Sequence, residues 1–255
     1  MHALVLGLLE YDKVFVYDAS LSEWAADENL AMEIGSLSKS VFMQQDDDHD
    51  WLRQGGTSAT DVAKSYDDWA DTYDKTLADW DYRAPTHAAE LLRAKVPLDA
   101  TILDAGCGTG LTGAALRAAG FTGTIDGLDL SASSLEEAAK HGVYRTLNMA
   151  NFQALPLAIP NAIYNGLICI GVLTYVPDSE AVLREFARLV RPGSVILITQ
   201  RDDLFHERGF EEIVKGLAGT GIFSDFEISD PQPYLPANPD FGDAIKVIYV
   251  TMKVA

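Results

Sequence analysis

Leu103-Asp104-Ala105-Gly106-Cys107-Gly108-Thr109-Gly110 decides the fold, because it carries a short apolar strand straight into a helix through alternating glycines. Glycine lets the backbone turn with positive φ and lets a ligand approach closely. Such a turn can cradle a dinucleotide, as G-x-G-x-x-G does, but the spacing here is G-x-G-x-G, which suits a ligand without pyrophosphate better. A tight turn with no ligand is the other reading. About twenty positions on, Gly127-Leu128-Asp129-Leu130-Ser131 ends a second apolar run in a carboxylate. At the carboxyl end of a second strand, Asp129 can accept hydrogen bonds from both ribose hydroxyls; an ordinary helix cap is its bland alternative. Together the two features point to adenosine.

Working outward, strands and helices alternate. Strands are expected at Thr101–Asp104, Thr124–Asp129, Val143–Asn148, Gly166–Ile170 and Val195–Thr199. Between them fall helices at Leu111–Ala119, at Ser133–Lys140 with Ser131 as N-cap, and at Ser179–Val190, closed by Arg191-Pro192-Gly193. Beyond lie a helix at Phe210–Ala218, a strand near Phe226–Ser229, and Ala244–Lys253, which pairs with it as a hairpin adding an antiparallel edge strand. This alternation predicts an α/β fold, a doubly wound, mostly parallel sheet covered on both faces.

Upstream, residues 57–98 read as a helical segment. Tyr66, Trp69, Ala70 and Tyr73 share one helix face, and Pro85 stands where a second helix, Thr86–Lys95, would begin. Residues 1–56 form an acidic extension, with Leu4–Val16 as a short strand or helix and Ser22–Ser36 as a helix. The domain division expected is therefore 1–56, 57–98 and 99–255.

Composition narrows the partners. The chain has 255 residues, 48% of them hydrophobic, and a formal charge of −19. Nucleic acid and anionic membrane surfaces both require clustered Lys and Arg, so neither is expected as a partner. No signal peptide or membrane span is read, and Cys107 and Cys169 show no metal spacing, so a soluble cytoplasmic protein without metal is expected. Asp46–Asp50 with His49 reads as a solvated charge run.

The chain resembles the class I S-adenosylmethionine-dependent methyltransferases. The resemblance rests on Ile102–Gly110, Gly127–Ser131, Ala150–Leu157, Gly171–Asp178 and Leu189–Gly193. The Tyr66–Asp74 segment is similar to the methyltransferase-like family of the Williams–Beuren syndrome chromosome region. It covers roughly residues 60–254 and implies a Rossmann-like seven-stranded sheet under an N-terminal helical lid. The cofactor implied is S-adenosyl-L-methionine, leaving as S-adenosyl-L-homocysteine. It implies contacts from Tyr66, Tyr73, Asp104, Gly106, Cys107, Gly108, Asp129, Leu130, Asn151, Phe152 and Ile170. Asp104 and Gly106 would lie under the methionine moiety, Asp129 would hold the ribose, and Leu130 would pack on the adenine. Asn151 stands where many relatives carry Asp; its carbonyl oxygen still accepts a bond from the adenine amino group, without a charge. Asn165 also departs from the family pattern.

In-line displacement at a sulfonium requires chiefly alignment, and the need for a base depends on the nucleophile. Candidates on the acceptor side are Tyr73, Tyr175, Arg201 and His206, with Trp69, Trp80 and Tyr82 as further aromatics. For the 66–73 stripe the alternative is plain helix packing, and for Arg201 and His206 a solvated loop. The expected function is methyl transfer to O, N or S of a small molecule. A protein methyltransferase, disfavoured by Gly171-Val172-Leu173-Thr174 where an Asn/Asp-Pro-Pro-Tyr/Phe motif would stand, and a non-catalytic cofactor-binding protein are the alternatives. An NAD-dependent oxidoreductase fits less well, since no Tyr-x-x-x-Lys pair accompanies the glycines. A homodimer through the N-terminal extension is a further expectation.

Overall fold

A computed structural model describes residues 52, 58–239, 242 and 244–255. The expectations for residues 1–51, including both leader elements, the charge run and the dimer, lie outside the described residues.

Two helices come first, α1 (Ala59–Asp79) and α2 (Ala84–Arg93). Ser58 caps α1 by accepting from the Asp61 amide, and Pro85 occupies the first turn of α2, where its missing N–H costs nothing. The alternating part follows: β1 (Ile102–Ala105), α3 (Leu111–Ala118), β2 (Ile125–Asp129), α4 (Ala132–Lys140), β3 (Thr146–Met149) and β4 (Tyr164–Cys169). A 3₁₀ turn, Leu173–Tyr175, leads into α5 (Ser179–Leu189) and β5 (Val190–Arg201). The chain ends with α6 (Asp202–Glu207), α7 (Phe210–Gly219), β6 (Phe223–Ile228), the two-residue β7 (Gln232–Pro233) and β8 (Lys246–Val254). Ser131 caps α4 as expected, accepting from the Ser134 amide at 3.0 Å.

The sheet runs β3-β2-β1-β4-β5-β8-β6, with β7 on the margin of β8, so the expected seven strands gain one short eighth. β3, β2, β1, β4 and β5 are parallel, while β8 is antiparallel to both β5 and β6. The terminal hairpin is antiparallel, as expected. Its second strand inserts between β5 and β6, and β6 takes the edge. Burial explains the order: β8 is apolar along nearly its whole length, whereas β6 exposes Ser224, Asp225 and Glu227.

Because side chains alternate along a strand, each face of the sheet collects its own core. Leu103, Leu167, Cys169, Ile196, Ile198, Val250 and Met252 pack against Leu183, Phe186, Phe210 and Val214 of α5 and α7. On the opposite face, Ile102, Ile125, Ile168, Leu197 and Tyr249 meet Ala88, Ala89, Leu92 and Leu116 of α2 and α3. Chain direction across the sheet reverses between β1 and β4, and their carboxyl ends open a crevice there, where ligands of such sheets bind.

Candidate functional site

The loops leaving β1, β2 and β4 meet over that crevice, and α1 closes it from above. They bound a cleft of about 760 Å³, including space open to solvent. Tyr66, Tyr73, Gly106, Gly108, Asp129, Leu130, Asn151, Phe152 and Ile170 all border it, together with Ala63, Ser131, Ala150, Gln153, Gly171, Val172, Tyr175 and Tyr234. Asp104 and Cys107 lie beneath the floor instead. The Cys107 side chain turns toward Gly127 of β2, and burial pushes its thiol pKa up.

Two glycines explain how the turn makes room. A Cβ on Gly106 would strike Val172 Cγ2 at 2.1 Å, so the β1 and β4 loops touch only because that position is bare. Gly108, at φ +51°, has no atom within 4 Å of where a Cβ would sit, because the cleft lies there. The Gly106 and Cys107 amides both donate to Leu128 O, at 2.7 and 2.9 Å, which ties the turn to the end of β2.

Asp129 is the polar centre of the cleft. One carboxylate oxygen accepts from the Gly108 amide at 2.7 Å and the other from the Ser131 amide at 2.9 Å. Each oxygen keeps a second lone-pair position. Burial raises its pKa, against the lowering pull of those backbone donors. Asp104 is fully buried; Oδ2 accepts from Tyr144 Oη at 2.7 Å, while Oδ1 is buried without a partner. Burial pushes its pKa up to about 7, with the Tyr144 bond opposing and the Asp129 charge adding to the rise. Asn151 Oδ1 accepts from the Gln153 amide at 2.8 Å, fixing the side chain at the cleft wall with one acceptor position left.

Two aspartates seat α1 on this floor. Asp67 accepts from the Ser131 hydroxyl at 2.5 Å and the Ser133 amide at 3.2 Å, at the start of α4. Asp74 accepts from the Thr109 hydroxyl at 2.5 Å, inside the glycine turn itself. Between them Tyr66, Trp69 and Tyr73 form a contiguous ring cluster, and Tyr66 donates to Tyr175 Oη at 3.3 Å. The stripe packs as a helix face, and two of its rings, Tyr66 and Tyr73, border the cleft.

Beyond that cluster lies a second chamber of about 470 Å³, including space open to solvent, walled by Leu52, Trp69, Leu77, Tyr82, Thr174, Arg201, Leu235 and Ile245. Tyr66, Tyr73, Gly171, Tyr175 and Tyr234 border both spaces. Arg201, at the end of β5, is only 7% exposed. Its guanidinium forks onto Asp203 at 3.1 and 2.5 Å and donates to Leu52 O at 2.6 Å. His206 is exposed on α6, stacked edgewise on Phe205, and borders neither space. Trp80 packs behind Trp69 and also lies off both walls. His87 is exposed and meets Tyr249 edge-on; His141 stands 4.0 Å from Asp74.

Four contributors escaped the sequence reading. Tyr144 binds Asp104 and accepts from the Gly113 amide at 3.1 Å, yet it comes from a loop with no motif. Tyr234, whose hydroxyl lies over Gly171, sits in the Pro-rich stretch before β8. Gln153 donates to Tyr175 O at 3.1 Å. Arg208 donates to the carbonyls of Leu173, Thr174 and Val176 at 3.0–3.1 Å, holding the 3₁₀ turn that presents Tyr175. An arginine ending a six-residue helix gives no sequence signal of that task.

Among the described residues no helix is long and apolar enough to cross a membrane, and no cluster of metal-ligating side chains occurs. Residues 77–218 match the family model of the methyltransferase domain. Human methyltransferase-like protein 27 is 32% identical over 166 residues, which cover 62% of this chain and 66% of that protein. A demethylmenaquinone methyltransferase of Bacillus licheniformis is 40% identical over 123 residues, covering 46% of this chain and 51% of its own. The chain thus spans under two thirds of either relative. Among solved structures, a SAM-dependent methyltransferase from Thermotoga maritima superposes with a TM-score of 0.55 at 16% identity, covering 75% of this chain and 98% of that one. The [4+2]-cyclase SpnF superposes at 0.56, also at 16% identity, over 78% and 97%. These likenesses share the fold; the domain match, covering more than half of the chain, goes further. The chain belongs to the methyltransferase-domain family, the class I S-adenosylmethionine-dependent methyltransferases.

Proposed function

We propose that this chain transfers the methyl group of S-adenosylmethionine to a small-molecule acceptor. The observation carrying the proposal is Asp129, half-buried at the end of β2, with both oxygens held by the Gly108 and Ser131 amides beside a cleft wide enough for an adenosine. The residues present fit that group. Gly108 leaves open space, Asp129 keeps two acceptor positions, and Asp104 Oδ1 is a buried acceptor without a donor. When bound, the cofactor supplies an electrophilic methyl carbon on a positively charged sulfur.

The chain's own residues hold and orient. Asp129 accepts from the ribose hydroxyls, Leu130 and Phe152 flank the adenine, and Asn151 Oδ1 accepts from its amino group. Asp104, under the turn, places negative charge below the cationic end. Tyr66 and Tyr73 close over the methionine end, exclude water and set aromatic faces near the sulfonium. A small acceptor is supported by the aromatic-walled second chamber, and by a relative named as a ubiquinone biosynthesis O-methyltransferase.

Calorimetric titration tests the proposal. S-adenosylhomocysteine should bind and NAD should not, and Asp129→Ala should weaken binding at least tenfold, as expected for losing bonds to a charged acceptor. Equal binding by Asp129→Ala would overturn the assignment.

A further inference from the structure

The second chamber is built for an acceptor of particular chemistry. Its walls are aromatic on several sides: Tyr66, Trp69, Tyr73, Tyr82, Tyr175 and Tyr234, with Leu77, Leu235 and Ile245 between them. Planar rings gain most from such walls, through offset or edge contacts beyond simple area burial. Tyr66 and Tyr175 are hydrogen-bonded to each other, as are Tyr82 and Tyr234, and the Tyr82 and Tyr234 hydroxyls lie over Gly171, where the two spaces join.

What the chamber offers a proton is equally definite. Among the described residues lining it there is no His, Lys, Asp or Glu. Among the described residues the one carboxylate bordering the donor cleft is Asp129, already engaged by two amides. The tyrosines cannot substitute, since burial holds the pKa values of Tyr66, Tyr73, Tyr82, Tyr175 and Tyr234 above that of an ordinary phenol. A base must have a pKa near the working pH. These hydroxyls remain protonated and donate.

Charge is also distributed unevenly. The carboxyl groups, Asp129 and below it Asp104 with its pKa raised by burial, sit at the donor end. The acceptor end holds the Arg201 guanidinium, whose side chain is 8% exposed while that of its partner Asp203 is 51% exposed. Arg201 is the one cationic side chain among the described residues lining this space. Beside this wall, the Gln200 amide accepts from Thr174 Oγ1 at 3.2 Å, and its Nε2 is a buried donor without a partner.

We propose that the methyl acceptor is a planar aromatic compound whose reacting oxygen is already ionised in solution, received by Arg201 and the tyrosine hydroxyls without a protein base. The proposal rests on reading the adjoining cleft as the methyl-donor site. Oxygen is favoured over sulfur because hydroxyl and guanidinium donors pair best with an oxygen anion. A protonated amine would meet the Arg201 charge and would find nothing to take its proton. The step balances without proton transfer. The phenolate oxygen forms a bond to the methyl carbon as the carbon–sulfur bond breaks, its electron pair stays on sulfur, and a neutral ether and neutral S-adenosylhomocysteine result.

Two measurements test it. S-adenosylhomocysteine binding is established first by calorimetry; failure there removes the donor assignment and is distinct from failure of the acceptor assignment. With that product bound, 4-nitrophenol is titrated in and read by its absorbance. It should be taken up as the phenolate and ionise at lower pH than when free. Arg201→Gln should weaken its uptake about tenfold while leaving S-adenosylhomocysteine affinity unchanged. If that variant does not fold, Tyr234→Phe, which removes one donor, should weaken uptake severalfold. Uptake of the neutral phenol, or none, overturns the proposal. Second, labelled methyl transfer to 4-nitrophenol and to 4-methoxyphenol is followed against pH. The rate midpoints should separate and follow each phenol's own ionisation. A common midpoint, which would report a protein base, overturns it, as does transfer to benzylamine but to neither phenol.

Discussion

At the scale of single residues, Asp104 shows how the same side chain can be legible as a position and illegible as an environment. Its place at the end of β1 follows from the apolar run before the glycines. Its complete burial and its bond to Tyr144 do not, because Tyr144 arrives from forty residues on, in a stretch that reads as plain strand and gives no sign of this partner. The consequence is measurable. In the unfolded chain the carboxyl ionises near 3.8, whereas in the fold burial holds it to about 7. Between those values the native state binds the extra proton, so stability falls as pH rises through this window, by up to about 1.4 kcal/mol per unit for one group. Below it the contribution vanishes, and above it the penalty is constant. Donor-free protein should therefore lose stability between about pH 4 and pH 7, and Asp104→Asn should remove that component while keeping an acceptor for Tyr144. Urea unfolding at about pH 5 and pH 8 checks this; an unchanged difference between the two pH values in the variant would refute it. Gly106 and Gly108 were readable because backbone geometry demands glycine there, and Asp129 because it ends the second strand about twenty positions after the turn. Tyr234 and Arg208 were not, because their tasks depend on which loops the fold brings together.

At the scale of elements, the buried strands were readable and the partly exposed ones less so. β1, β2 and β4 are apolar runs enclosed on both faces, and the sequence places them within a residue or two. β3 exposes Thr146 and Asn148, and starts three residues later than the apolar Val143 suggests. Arg191-Pro192-Gly193 reads as a turn after α5, yet β5 runs through it, with a register shift against β4 that absorbs the proline and glycine. The lid helix α1 was legible through its aromatic stripe, but its anchoring was not. Asp67 and Asp74 are exposed polar residues on the helix pattern, and only the fold reveals them bonded to Ser131, Ser133 and Thr109. If α1 must lift for the cofactor to leave, these bonds control its departure. Replacing both by Ala should speed S-adenosylhomocysteine dissociation about thirtyfold, since each aspartate's bonding contributes on the order of 1 kcal/mol, with little change in association. Stopped-flow tryptophan fluorescence, reporting from Trp69, measures both rates. Equal dissociation in the double variant would show that α1 does not gate the cleft.

For the whole molecule, the formal charge of −19 joins the polarity of the site in a single argument about ligand traffic. A strongly acidic surface attracts cations over distances set by ionic strength, with a screening length of about 30 Å at 0.01 M salt and about 8 Å at 0.15 M. S-adenosylmethionine carries one net positive charge at neutral pH and S-adenosylhomocysteine carries none. Association of the methylated form should therefore slow several-fold between those salt concentrations, while that of the demethylated product stays nearly constant. The acidic field thus favours entry of the charged donor over re-entry of its neutral product. An anionic acceptor meets the opposite situation, since the field around the protein opposes its approach even though Arg201 welcomes it locally. Its association should quicken as salt rises, giving donor and acceptor opposite salt slopes on one enzyme. Stopped-flow association of S-adenosylmethionine and of 4-nitrophenolate, each from 0.01 to 0.15 M salt, provides the comparison. Slopes of the same sign would mean that the internal charge gradient, from Asp104 and Asp129 to Arg201, does not govern how the two ligands are received.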